Sequence, residues 1–155
     1  MNELYNACTL CPRKCHINRN LTTGICNNTS SIKVARSALH YFEEPSISGS
    51  NGSGTIFFSG CNLKCCYCQN KEISTNNFGI NISIKRLSEL MLDLQSKKAN
   101  NINLVTPTHF VPSIIEAIKL ARRNGLTIPI VYNTSGYESV DTIKLLDGYV
   151  DIYLT

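Results

Sequence analysis

Three cysteines stand at fixed offsets in one short stretch, Cys61-Asn62-Leu63-Lys64-Cys65-Cys66-Tyr67-Cys68, which reads C-x3-C-x2-C when Cys66 is set aside. Thiolates at this density are ligands for soft metals or iron–sulfur clusters. Structural zinc sites take four protein ligands, commonly as C-x2-C pairs, so a three-thiolate loop fits them poorly. A [4Fe–4S] cluster takes four ligands, normally cysteines. Three thiolates would hold three irons and leave the fourth open to a small molecule. Cys66 adjoins a ligand in the chain and is expected to stand outside the set.

A second group, Cys8, Cys11, Cys15 and Cys26, is spaced C-x2-C-x3-C-x10-C. That is a credible four-thiolate set for zinc or for a second iron–sulfur cluster. A cluster there would suit electron relay, whereas zinc would brace a piece too small for its own core. The first ten residues have no charged start followed by an apolar stretch, and no run of 18 apolar residues occurs anywhere. Neither a secretory signal nor a membrane span is expected. The expected location is then cytoplasmic, where thiols stay reduced and eight cysteines favour ligation over disulfides. Lys+Arg 15 against Asp+Glu 11 leaves a formal +4 without a basic block, too mild for a nucleic-acid partner. Hydrophobic residues at 43% and charged residues at 17% are enough for a folded core.

The elements that must position these groups divide at residue 31. Residues 1–31 form a Cys-rich segment expected to bind metal; residues 32–155 alternate strand and helix patterns. Strands are expected at 32–36 and 55–59, joined by a Gly/Ser-rich connector over 45–54. Ser83 can cap a helix with a stripe of Ile84, Leu87, Leu90, Met91 and Leu94, ending at Lys97 and Lys98. After a strand at 102–105, Pro112 opens a helix with Ile114, Ile115, Ile118 and Ala121 inward and Gly125 as its stop. A strand at 128–132, a short helix from Ser139 to Leu146 and a strand at 150–154 complete the pattern. This order predicts an α/β fold with parallel strands, whose ligands gather at the carboxyl ends. Three polar segments follow three strands directly: the cysteine loop after Ser59, Thr106-Pro107-Thr108-His109, and Asn133-Thr134-Ser135-Gly136. All three are expected on one rim. The glycine-rich run at 49–54 leads into a strand rather than a helix, so it reads as linker and not as a phosphate cradle.

The stretches 54–70 (GTIFFSGCNLKCCYCQN), 101–112 (NINLVTPTHFVP) and 129–138 (PIVYNTSGYE) resemble the radical S-adenosylmethionine (SAM) superfamily. More narrowly, they resemble its pyruvate formate-lyase activating enzyme-related subgroup, in which the N-terminal CTLCPRKC at 8–15 also occurs. The resemblance implies the first half of a partial (β/α) barrel of about four parallel strands, behind the Cys-rich segment. It implies that Cys61, Cys65 and Cys68 each ligate one iron of a [4Fe–4S] cluster whose fourth iron takes SAM, with Tyr67 near the adenine. It implies an oxidoreductase that cleaves SAM reductively to a 5′-deoxyadenosyl radical for hydrogen abstraction. The donor would be a reduced flavodoxin- or ferredoxin-type protein, and the substrate in activating enzymes is a glycyl radical enzyme. The subgroup's usual Gly-Gly-Glu after the second strand is replaced here by Thr106-Pro107-Thr108-His109. Hydroxyls of Thr106 and Thr108 can accept from the SAM ammonium. His109 would contact SAM or substrate, relay a proton, or be merely structural, and Asn133 and Ser135 would face the ribose or carboxylate or form a plain turn. Related proteins continue well past the fourth strand, so the chain reads as truncated. Two other readings follow from the residues: a non-catalytic iron–sulfur carrier or zinc-stabilised binding module, and an inactive radical SAM fragment.

Overall fold

The computed structural model describes residues 2–155, and its first element is a 3-10 turn at Asn2–Tyr5. Six strands follow: β1 (Ile32–His40), β2 (Ser53–Phe58), β3 (Ile80–Ile82), β4 (Ile102–Val105), β5 (Ile130–Asn133) and β6 (Ile152–Leu154). They form one sheet in the order β3-β1-β2-β4-β5-β6. Strands β2, β4, β5 and β6 run parallel, with Thr55, Asn103, Val131 and Ile152 side by side.

The strand expected at 32–36 extends to His40 and pairs antiparallel to β2, beside the parallel set. A parallel return needs a crossover of a dozen or more residues, usually carrying a substantial helix. The connector holds only the one-turn helix α1 (Pro45–Ser48) and left-handed glycines at Gly49 and Gly52, so the chain doubles back. Strand β3, absent from the sequence reading, is a three-residue edge strand antiparallel to β1. Its short, largely exposed run has too few residues to show a period.

Three of the helices follow their expected signals, while the one-turn helices were not expected. A single turn, α2 (Lys71–Ser74), comes after the cysteine loop. Helix α3 (Ile84–Ser96) starts at Ser83, whose hydroxyl accepts from the Arg86 N–H at 3.0 Å. Helix α4 (Val111–Arg123) carries Pro112 in its first turn. It ends in a Schellman motif, with Gly125 N–H on Arg122 O, Leu126 N–H on Ala121 O, and Gly125 at φ +98. Helix α5 (Val140–Leu145) links β5 to β6. Leu87, Met91 and Leu94 of α3 and Ile114, Ile118 and Ala121 of α4 pack on Ile56, Phe58, Leu104 and Ile130 of the sheet. Full burial of each large aliphatic contributes about 1.5–3 kcal/mol. Because side chains alternate along a strand, Phe57 and Val105 face away from this core.

The N-terminal segment is fastened to the helices by buried contacts. Tyr5 Oη and Ser113 Oγ of α4 are 3.0 Å apart, and Thr142 Oγ1 of α5 donates to Leu10 O at 2.7 Å. Among the described residues no helix is long and apolar enough to cross a membrane.

Candidate metal centre

With β2, β4 and β5 parallel, the segments that follow them leave the sheet at the same edge. The cysteine loop is fixed where it departs. Ser59 O, just beyond β2, accepts from Asn28 Nδ2 at 2.8 Å and lies 2.8 Å from His109 Nε2. Gly60 has φ +78, and a Cβ there would overlap Asn28 Nδ2 and Cys26 O, so glycine alone fits. Asn62, 1% exposed, donates to Tyr137 O at 2.9 Å, and its own carbonyl accepts from Arg13 Nε at 3.0 Å. A turn closed by Cys68 N–H on Cys65 O at 3.2 Å completes the loop.

Cys61, Cys65 and Cys68 line one cavity of about 150 Å³, together with Phe57, Val105, Thr106 and Ser135. Cys66 is exposed and outside it. Two of the three sulfurs receive hydrogen bonds, Cys61 Sγ from Leu63 N–H at 3.4 Å and Cys68 Sγ from Ser74 Oγ at 3.3 Å. Such donors stabilise thiolate charge and tune cluster potentials. Among the described residues, no three His, Cys, Asp or Glu side chains converge as ligands of a single ion. An all-sulfur set around a cavity fits a polynuclear iron–sulfur group better than one hard ion. A roomier groove of about 690 Å³, between the N-terminal segment and α5, is lined by Lys14, His16 and Asp141 among others and contains none of the thiols.

The remaining candidates are distributed unequally. Thr106 lines the cavity and holds φ +56, a left-handed backbone that is strained for a β-branched residue. Its N–H bonds Asn133 O at 3.0 Å, tying the end of β4 to β5. Ser135 also lines the cavity, whereas the half-buried Asn133 side chain is not part of the lining. Tyr67 is 85% exposed and outside the lining. Thr108 turns away from the cavity and donates to Glu138 Oε1 at 2.8 Å. His109 sits behind the loop, 2% exposed, with its ring on Ser59 O. Burial, aided by the nearby Arg19 charge, pushes its pKa down to about 3, which keeps the ring neutral.

Glu138 escaped the sequence reading. Hydroxyls of Thr108, Thr134 and Tyr132 converge on its carboxylate. Burial and this carboxylate together push the Tyr132 phenol well above its usual range. A legible signal existed: Glu138 immediately precedes Ser139, the N-cap of α5, where negative charge is favoured.

In the N-terminal segment, Cys8 and Cys26 are buried, and Cys11 and Cys15 are partly so. Burial pushes the Cys11 and Cys26 thiols up.

Comparison with known proteins agrees with this arrangement. The model of the radical SAM superfamily matches residues 55–155. The chain is also 33% identical, over 161 aligned positions, to an uncharacterized protein of Methanocaldococcus jannaschii. That alignment covers 99% of the chain but 46% of the relative, so the chain spans about half the relative's length. No solved structure matches. From the three-cysteine cavity and the family match over residues 55–155, the chain belongs to the radical SAM superfamily.

Proposed function

We propose that Cys61, Cys65 and Cys68 hold a [4Fe–4S] cluster at the rim of the sheet, and that the chain belongs to an enzyme of radical SAM chemistry. The observation that carries this reading is that these three sulfurs, without Cys66, share one cavity with residues at the ends of β2, β4 and β5. When bound, such a cluster supplies the electron that cleaves SAM to methionine and a 5′-deoxyadenosyl radical, which takes a hydrogen atom from substrate.

The chain's own residues shape the site. Phe57 and Val105 give the cavity an apolar wall that limits water. Thr106 and Ser135 offer hydroxyls to the amino and carboxylate ends of SAM. Tyr67, one residue before Cys68, is assigned to the adenine, and Asn133 to the ribose. Thr108 and His109 act from behind the rim, Thr108 by holding Glu138 and His109 by holding Ser59. The four parallel strands belong, in this reading, to a partial (β/α) barrel, with residues 1–31 as an added Cys-rich unit. For the whole protein we add a reduced flavodoxin- or ferredoxin-type donor, a glycyl radical enzyme as the substrate, and a cytoplasmic setting.

The test is anaerobic reconstitution with iron and sulfide, followed by dithionite and SAM and chromatography for 5′-deoxyadenosine. The reading expects its release by the wild type and none by a Cys61→Ala/Cys65→Ala/Cys68→Ala variant. Reversible reduction of a cluster with SAM left intact would favour an electron carrier instead. Zinc without iron charge-transfer absorbance would favour a binding module.

A further inference from the structure

Among the described residues, Arg19 is the one charged side chain that is almost wholly shielded, at 1% exposure. Its guanidinium is pinned by three carbonyls: Nη1 to His109 O at 2.6 Å, Nη2 to Thr29 O at 2.6 Å and Nε to Asn28 O at 3.1 Å. Aromatic faces flank it, with Tyr5 at 5.1 Å and Phe110 at 5.8 Å. Among the described residues no carboxylate forms an ion pair with it. A buried charge without a counter-ion is costly, and carbonyl dipoles repay only part of that cost.

Thiols, rather than carboxylates, surround this cation. Arg19 Nη1 lies 3.8 Å from Cys8 Sγ. A Cβ built on Gly24 would meet Cys26 Sγ at 3.4 Å, Cys15 Sγ at 3.6 Å and Arg19 Cδ at 3.6 Å. Glycine therefore keeps open a small space onto which two sulfurs and the arginine stem border. The Cys15 thiol is also 3.9 Å from Cys8 O, and Cys11 O accepts from Lys14 N–H at 3.0 Å in the turn that precedes Cys15. Sulfurs of Cys8, Cys15 and Cys26 thus border the Arg19 side chain, and Cys11 completes the spacing C-x2-C-x3-C-x10-C in the same segment.

We propose that Cys8, Cys11, Cys15 and Cys26 bind a second metal centre through four thiolates, a zinc ion or an iron–sulfur cluster, with the Arg19 guanidinium as its buried counter-charge. Binding releases the four thiol protons to solvent, and either centre then carries net negative charge beside the guanidinium. The sulfurs are not drawn together as for a single ion, so loading zinc would close them inward, while a cluster needs the wider spacing. This site lies outside the part of the chain that the family model matches. The inference is independent of SAM chemistry at the rim.

The experiment uses the full chain carrying Cys61→Ala/Cys65→Ala/Cys68→Ala, so that metal at the rim does not contribute. It is reconstituted separately with zinc and with iron and sulfide, and metal is counted by elemental analysis. The expected result is one zinc, or about four irons with matching sulfide, lost on adding Cys11→Ala/Cys15→Ala. In the otherwise unsubstituted protein, alkylation with iodoacetamide should spare the four N-terminal thiols until a chelator is added. Arg19→Gln should weaken metal retention in chelator competition by about tenfold or more, the usual effect of losing a supporting group around the ligands. No metal under either condition, metal indifferent to the N-terminal substitutions, or N-terminal thiols paired in disulfides would overturn the site. Unchanged retention in a folded Arg19→Gln variant would overturn the counter-charge role. Absence of a cluster at the rim alone would leave these counts unaltered.

Discussion

A single carbonyl, Ser59 O, gathers side chains from two distant segments, Asn28 from the N-terminal loops and His109 from the turn after β4. Whatever the three-cysteine loop binds is held at a position set by these two bonds and by the glycine that follows. His109 can serve there because it stays neutral, with its pKa pushed down to about 3 by burial and then by Arg19. In the unfolded chain the ring titrates near 6.5, so between these values the unfolded state binds a proton that the folded state refuses. Its contribution to stability is complete above pH 6.5 and drains away as pH falls toward 3. The slope from one such proton is about 1.4 kcal/mol per pH unit. Urea midpoints between pH 4 and 7 should fall more steeply for the wild type than for His109→Gln, whose amide can still donate to Ser59 O. Parallel curves would contradict this role. Thr106 is the other residue whose backbone bears the site's demands, since it keeps φ +56 at the cavity wall without being glycine.

At the scale of elements, α3 and α4 carry most of the cover over the sheet, and their weight is unequal along their length. Ile118, 0% exposed, lies in the core between α4 and the sheet, so Ile118→Ala should cost about 2–5 kcal/mol. Ser83→Ala removes only the cap of α3 and should cost about 1 kcal/mol. Equilibrium urea unfolding of the two variants checks the order; a larger loss at Ser83 would contradict it. These two helices were readable because thirteen residues each give several turns of apolar stripe between a cap and a stop. Strand β3 was not, because three largely exposed residues owe their conformation to pairing with β1 rather than to their own pattern. The direction of β1 was hidden for a related reason, since it depends on how the 41–52 connector turns in space. In the site, the grouping of Cys61, Cys65 and Cys68 that line one cavity was legible from spacing within eight residues of chain. The Glu138 hydroxyl cluster and the Arg19 knot were not, because their partners come from separate segments and meet only on folding.

On the scale of the whole molecule, the candidate centre stands where three parts meet: the N-terminal segment, the cysteine loop, and the ends of β4 and β5. The sheet ends at β6 on one side, and the chain spans about half of its relative's length. What the chain itself carries is a cavity lined by Cys61, Cys65 and Cys68 at the ends of the parallel strands. The most direct measurement is electron paramagnetic resonance of the anaerobically reconstituted, reduced chain before and after SAM is added. The account predicts a [4Fe–4S] signal that shifts when SAM binds and that disappears in Cys61→Ala/Cys65→Ala/Cys68→Ala. A chain that acquires no such signal at the rim, or one whose spectrum is indifferent to SAM because the protein already caps every iron, would contradict it.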